Sequence, residues 1–348
     1  MESNSSSLPL EDLEFIANVV SGLRNDYQKS AILIYGGTGF IGSWITQGLL
    51  HSNSLLGLDL RITIVTRNAR LARKHFEHVK TEKLRFIEHD FSKSQLHENF
   101  EADYVFHGAT PTRALTGSGN EEQTVKAAVN AAKHAIQTQS NKFDCSRNIH
   151  LSSGVIYGKQ PIEMKSRSES DFAGVNTGTY SEAKNQIDQI FNAAYNEGRI
   201  HFQSPRLFAF AGPKLQLDAH FAVGNFLADG LLGRNIQITG NPGTIRSYMY
   251  PSDLVSALLT IATQERYQNF NVGSEESVTM FELATLVSTI TTNTEIKLAN
   301  PEAPISNYVP SISNLKTIMP KFEPIGIKQS IGKWIDWIEA TNQLAKGE

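Results

Sequence analysis

The sequence predicts an α/β protein: a doubly wound parallel sheet with a smaller mixed α/β lobe beside it. Three observations carry that prediction. Short runs of apolar and β-branched residues recur between Ala31 and Phe208. Amphipathic helical stretches alternate with them, and a glycine-rich turn follows the first run. The chain has 348 residues, long for one hydrophobic core, so a second lobe is expected.

The elements follow in order. Residues 1–7 are rich in Ser and Asn. From Leu8 to Leu23, the residues Leu13, Ile16, Val19, Val20 and Leu23 keep one helical face, and Pro9 stands where a first turn tolerates it. This segment precedes the first strand, so residues 1–28 are expected to form a helical extension appended to the core. Ala31–Tyr35, Arg61–Thr66, Leu84–Glu88, Tyr104–His107, Asn148–Ser152 and a stretch from His201 toward Phe208 read as strands. Helices are expected over Ile41–Leu50, Glu121–Gln139 and Tyr180–Asn196. After Gly212-Pro213 the alternation gives way to helices, short strands and proline-bearing loops. The large domain is therefore expected to cover 29–213 with about 248–274, and the smaller lobe 214–247 with 275–348. The crossovers between parallel strands should be right-handed.

Composition removes several function classes. Apolar residues make up 40% and charged residues 19%, which argues against wholesale disorder. There are 32 basic and 35 acidic residues, a net charge of -3, so nothing points to nucleic acid. No run approaches the ~20 apolar residues of a membrane span, and the polar start lacks the layout of a signal peptide. Cys145 is the one cysteine and the ten histidines have no metal-ligand spacing; a reducing, cytoplasmic setting without a metal site is expected.

Gly36-Gly-Thr-Gly39-Phe-Ile-Gly42 lies between a strand and a helix. A dinucleotide pyrophosphate needs a tight turn, close backbone approach and a helix N-terminus facing its charge, and glycines at 36, 39 and 42 meet those needs. This is a Rossmann-like arrangement. The second strand ends in Thr66-Arg67-Asn68 with no carboxylate. Arg67 suits a 2′-phosphate, which favours NADP(H); read as a surface arginine, it leaves NAD(H) open. Asp90 and Phe91, after the third strand, can meet the adenine, or Asp90 can cap a turn. Gly108 and Ala109 are small enough for the cofactor to pass close by, whereas His107 reads as a core histidine.

Tyr180 and Lys184 are four apart, on one helical face. An ammonium near a phenol favours the phenolate, so such a tyrosine can act as acid or base near neutral pH. Ser152 and Ser153 stand at a strand's carboxyl end, the side of a doubly wound sheet that lines the ligand crevice.

Together, Gly36-Gly-Thr-Gly-Phe-Ile-Gly42, Ser152-Ser-Gly-Val-Ile-Tyr-Gly158 and Tyr180-x-x-x-Lys184 resemble the extended short-chain dehydrogenase/reductases, and more narrowly the NAD(P)-dependent nucleotide-sugar epimerase/dehydratase/reductase group. Pro205-Arg-Leu-Phe-Ala-Phe-Ala-Gly-Pro213, Arg246-Ser-Tyr-Met-Tyr-Pro-Ser-Asp253 and Asn271-Val-Gly273 extend the resemblance. It implies Ser153, Tyr180 and Lys184 as catalytic residues, selecting Ser153 over Ser152. Toward the cofactor it implies Thr38, Phe40, Ile41 and Thr110 beside the glycines, Lys184 at the nicotinamide ribose, and Pro205 and Phe208 along the nicotinamide. Toward the substrate it implies Arg246 on the diphosphate, with Thr112, Ser152, His220 and Asn225 nearby; His220 and Asn225 also suit local capping and packing. A homodimer through helices of the large domain is implied too.

The departures are informative. The group's 4,6-dehydratases follow the catalytic Ser/Thr with an Asp-Glu pair, where this chain has Gly154 and Val155. UDP-glucuronate decarboxylases commonly carry a nearby glutamate that is missing here. The expected activity is therefore NADPH-dependent reduction of a 4-keto nucleotide sugar, with an NAD-retaining 4-epimerase as the alternative. A dehydratase, or a dinucleotide sensor without catalysis, fits less well.

Overall fold

A computed structural model describes residues 7–79, 81–98, 100–110, 121–139, 146–171, 178–217 and 221–342. Thr112, Cys145 and His220 lie outside the described residues.

The first strands and helices follow the hydrophobic pattern. They are α1 (Leu10–Gly22), α2 (Arg24–Tyr27), β1 (Ala31–Tyr35), α3 (Phe40–Leu56), β2 (Arg61–Thr66), α4 (Ala69–His75), β3 (Leu84–Glu88), β4 (Tyr104–His107), α5 (Glu121–Gln139), β5 (Arg147–His150), β6 (Ser152–Ser153), α6 (Thr179–Asn196), β7 (His201–Gln203) and β8 (Arg206–Leu207). Six strands form a parallel sheet in the order β3-β2-β1-β4-β5-β7. The order reverses between β1 and β4, and ligands of such sheets bind beyond the strand ends at that point.

Side-chain alternation along the strands splits the core into two layers. Ile32 and Ile34 of β1, with Tyr104 and Phe106 of β4, join the core that holds α1, α3 and α8 (Pro251–Ala262). Leu33, Tyr35 and Val105 face α5 and α6 on the other side. There Ala128, Ala131, Ala132 and Ala135 let α5 lie close against the α6 residues Ile187 and Phe191.

The smaller lobe contains α7 (Ala222–Leu231), β9 (Ile236–Ile238), β10 (Ile245–Ser247), β12 (Ser277–Thr279), α9 (Met280–Ile290), β13 (Ile296–Leu298) and β14 (Asn307–Tyr308). Val223, Phe226 and Leu227 of α7 pack with Leu283, Ala284 and Val287 of α9 and with Ile331 and Trp334 of α11 (Ile327–Thr341). Ile312 and Leu315 at α10 (Ser313–Ile318) instead join the first core, although they fall in the range expected for the lobe.

Three further elements differ from the sequence reading. The strand expected over Asn148–Ser152 ends at His150, and Ser152–Ser153 pairs with Arg206–Leu207 in a separate small sheet that β11 (Asn271–Val272) completes. The break falls at Leu151, whose carbonyl accepts from a lysine instead of a neighbouring strand. The stretch from His201 is likewise two strands, split at Ser204-Pro205, where proline has no N–H to donate.

The N-terminal helix is no appendage. Ile16, Ala17 and Val20 are fully buried, and Ile16 lies so close to α3 that a Cβ on Gly48 would stand 2.9 Å from it. Burial of Ile16 and of Val20 contributes roughly 1.5–3 kcal/mol each. Asp12 is buried as well. Its carboxylate accepts from the Tyr250 hydroxyl at 2.7 Å and from Ser252 at 3.4 Å, and meets the Lys333 ammonium of α11 at 3.0 Å. One carboxylate thus ties together α1, the start of α8 and the last helix of the smaller lobe. Asp12→Ala should lower unfolding free energy by about 2–3 kcal/mol, since it leaves charged and buried partners unmatched. Urea denaturation checks this, and a loss below about 0.5 kcal/mol would restore the appendage view.

Candidate active site

The glycine loop closes on itself and on the next crossover. Gly36 has φ +83°, and a Cβ there would lie 2.8 Å from the Gly108 carbonyl oxygen and 3.1 Å from the Ala109 nitrogen. A Cβ on Gly42 would stand 2.2 Å from the Gly36 carbonyl oxygen. Two crossovers therefore meet at the switch point with only backbone between them. The α3 N-terminus begins at Gly39 without a side-chain cap, so its first N–H groups face the loop. Such a bare cradle suits a pyrophosphate. Thr38, Phe40 and Ile41 border it, partly exposed, as do Gly108 and Ala109, while Thr110 is buried.

Toward the adenosine end the geometry is more open. Arg67 and Arg70 are exposed beyond β2, and Asn68 caps α4 by accepting from the Leu71 N–H at 2.9 Å. Glu88 pairs in register with Thr66, and its carboxylate accepts from the Ala69 N–H at 2.8 Å. Asp90 caps its own turn, accepting from the Ser92 N–H and hydroxyl, and these bonds hold its carboxyl below the usual range. Phe91 packs inward against Tyr35 and His89.

The sequence-predicted catalytic residues converge. Tyr180 and Lys184 share one face of α6, with the ammonium 5.6 Å from the phenol ring centre. Lys184 is buried and donates to the Leu151 carbonyl at 2.5 Å. Burial pushes its pKa down to about 8, with Asp188 opposing that shift. The two serines separate by geometry. The Ser152 hydroxyl donates to Asp188 at 3.0 Å. The Ser153 hydroxyl accepts from the Val155 N–H at 3.3 Å and lies 3.5 Å from the Tyr308 hydroxyl.

Tyr308 was not foreseen. It comes from β14 of the smaller lobe, beside Arg246 in the strand register, and its ring lies tilted against Phe208 with ring centres 4.6 Å apart. Phe208 and Tyr308 crowd Gly154: a Cβ there would stand 2.7 Å from the Phe208 ring and 2.8 Å from the Tyr308 hydroxyl. Pro205 is buried just before β8. The Arg246 guanidinium donates to the carbonyls of Ile245 and Ser306 at 2.8 and 3.0 Å and to the Ser306 hydroxyl at 3.0 Å. Asn225 is exposed on the first turn of α7. His107 is a core histidine, fully buried among Tyr35, His150 and Phe191, and burial holds it neutral.

Asp188 and His150 were also missed. Asp188 was legible, since it continues the Tyr180, Lys184 spacing by one more turn. Tyr308 carried no local signal, because the tertiary fold brings it 155 positions along the chain to Ser153.

A model of the NAD dependent epimerase/dehydratase family matches residues 32–273. The chain belongs to that family. It is 28% identical over 312 residues to UDP-glucuronic acid decarboxylase 6 of Arabidopsis thaliana, covering 86% of this chain and 87% of that one. UDP-glucuronic acid decarboxylase 1 of Danio rerio is 24% identical over 271 residues, 76% of this chain and 62% of its own. The fold matches that of UDP-glucuronic acid 4-epimerase from Bacillus cereus, solved with UDP-glucuronic acid and NAD. That match has a TM-score of 0.72 at 17% identity and covers 89% and 99% of the two chains. The dTDP-glucose 4,6-dehydratase of Bacillus anthracis, solved with NAD, matches at 0.73 and 16% identity over 90% and 98%. Among the described residues, no helix is long and apolar enough to cross a membrane.

In this family member, Gly42→Ala should keep the far-UV circular dichroism of the fold yet weaken nicotinamide dinucleotide binding at least ~10-fold, about 1.4 kcal/mol. Fluorescence titration reads this, and unchanged affinity would mean the loop is not the cradle.

Proposed function

We propose that this chain reduces a 4-keto nucleotide sugar with NADPH. The observation that carries the reading is Gly154. The dehydratases of this group have an acid at this place, and here Phe208 and the Tyr308 hydroxyl fill the space that a side chain would need. Gly154 and Val155 cannot drive water elimination as the dehydratases' Asp-Glu pair does, while Ser153, Tyr180 and Lys184 would serve hydride chemistry. The relatives named as decarboxylases and the neighbours named as epimerases and dehydratases support the substrate class, a sugar carried on a nucleotide.

Bound NADPH supplies the hydride, and the glycine cradle, Thr38, Thr110 and Phe208 would hold it. Arg67 and Arg70 would meet a 2′-phosphate. Tyr180 gives its proton to the carbonyl oxygen as the C4 carbonyl becomes a secondary alcohol, and solvent returns that proton to Tyr180. Ser153 holds the same oxygen. The Lys184 ammonium favours the phenolate left on Tyr180. Arg246 would grip the diphosphate. The smaller lobe supplies both Arg246 and Tyr308, so substrate recognition would draw on both lobes.

An NAD-retaining 4-epimerase is the second reading, favoured by one observation. Glu88 puts a carboxylate beside the end of β2, where unphosphorylated ribose hydroxyls would find an acceptor.

The deciding experiment is mass and fluorescence analysis of the purified, undialysed protein, followed by NADPH and NADH titration. An empty protein preferring NADPH at least ~10-fold supports the reductase; tight co-purified NAD(H) replaces it with the epimerase. Tyr180→Phe should abolish turnover while leaving cofactor binding intact, and turnover within a few-fold of the parent would sink the mechanism. Turnover should also fall as pH rises through about 8. Lys184 is charged below its depressed pKa and neutral above it, so an alkaline limb near 8, well short of the ordinary lysine value of 10.5, is expected.

A further inference from the structure

We propose that Asp188 is a positioning residue: a buried carboxylate that locks together the three chain segments around the reacting centre and serves as the counter-charge of Lys184. The inference rests on the reading of Lys184 as the catalytic lysine.

The geometry is specific. Asp188 lies one turn beyond Lys184 and two beyond Tyr180 on the same face of α6. Its carboxylate accepts from three side chains on two segments, 150–152 and 204. His150 Nδ1 at the end of β5 donates at 2.6 Å, and the Ser152 hydroxyl at 3.0 Å. The Ser204 hydroxyl donates from the link between β7 and β8. Ser152 precedes Ser153, and Ser204 precedes Pro205 and the Phe208 segment. One carboxylate therefore fixes the serine strand, the segment assigned to the nicotinamide, and the helix bearing Tyr180 and Lys184.

Charge gives the second half of the argument. His150 is fully buried, and its Nε2 has no hydrogen-bond partner among the described residues, where it meets Phe191 and His107. A second proton on that ring would have nowhere to go, and burial holds the imidazole neutral against the pull of Asp188. Burial also acts to raise the Asp188 carboxyl, but its donors outweigh it and the net shift is downward. The pair is thus neutral His150 with ionised Asp188, a net charge of one negative unit. Lys184 carries the matching positive unit one helical turn away. Among the described residues, titratable groups facing this cluster include Tyr180, His107 and Tyr267, and of these Tyr267 is pushed up to about 12, by burial first and then by Asp188. Asp188 supplies, among the described residues, the charge that opposes the downward pull of burial on the Lys184 ammonium.

Two measurements test this. The first needs no substrate. Long-range ¹⁵N–¹H spectra of the histidines in the intact protein should show His150 neutral, protonated on Nδ1, from pH 6 to 9. A doubly protonated His150 would cancel the negative charge and overturn the proposal. The second compares Asp188→Asn with Ser204→Ala. Asp188→Asn removes the charge and should move the alkaline limb of kcat down by about one pH unit, as loss of a neighbouring opposite charge does. KM for the sugar should stay near that of the parent. Ser204→Ala keeps the carboxylate and should leave the limb in place. A folded Asp188→Asn protein with the parent's limb would overturn the counter-charge, as would an equal shift in Ser204→Ala. Should no keto sugar be turned over, the histidine spectra still decide, so failure of the reductase reading and failure of this one remain distinct.

Discussion

The architecture depends on burying one ammonium group. Lys184 sits among sheet ends and helix, where desolvation of a lone charge would cost several kcal/mol. The fold offsets this in two ways. The Leu151 carbonyl turns out of the ladder to accept from it, which ends β5 and starts β6 as a separate strand. Asp188 brings a negative charge along the same helix face. The break in the strand and the acid on the helix both lie beside that lysine. Ser153 owes its exposure to the site to that break, because it no longer continues the main sheet.

A second constraint is the near-contact of two crossovers at the switch point. Gly36 and Gly42 leave room for no side chain, and Gly108 faces them across the gap. The glycine loop is therefore built of backbone, whereas the cluster around Ser153 and Lys184 is built of side chains from several segments. The smaller lobe closes the reacting end with Tyr308 and Arg246. The N-terminal helix bears on that lobe too, because Asp12 reaches Lys333 of its last helix while its apolar face is buried against α3. An element that precedes the first strand thus contacts both α3 and the last helix of the chain.

Much of this was legible in the sequence, and for physical reasons. Strands such as Arg61–Thr66 and Leu84–Glu88 have ends marked by changes in local pattern, and their bounds in the fold coincide with those read from it. The glycine loop and the Tyr180, Lys184 pair are short-range, so spacing reveals them. Leu151 could not be foreseen as a break, because the pattern around it is continuous and the cause is a lysine 33 positions later. The N-terminal helix was legible as a helix but not as part of the core. Amphipathicity shows that a face is buried, not what buries it, and a single buried Asp12 reads in sequence as an ordinary first-turn acid.

Gly154 shows how far a single position can shape chemistry. In sequence it is only a missing acid, which leaves open whether another residue fills the role. In the fold the space is taken by an aromatic ring and a phenol hydroxyl, and Tyr308 comes from a strand whose register is fixed by pairing with Arg246. Restoring an acid at 154 would mean displacing Tyr308, which would disturb the strand carrying the arginine proposed to hold the diphosphate. Interiors packed to crystal-like density do not yield such space cheaply. The glycine at 154 and the tyrosine beside Ser153 are therefore coupled, and placing an acid at 154 would take at least two coordinated substitutions.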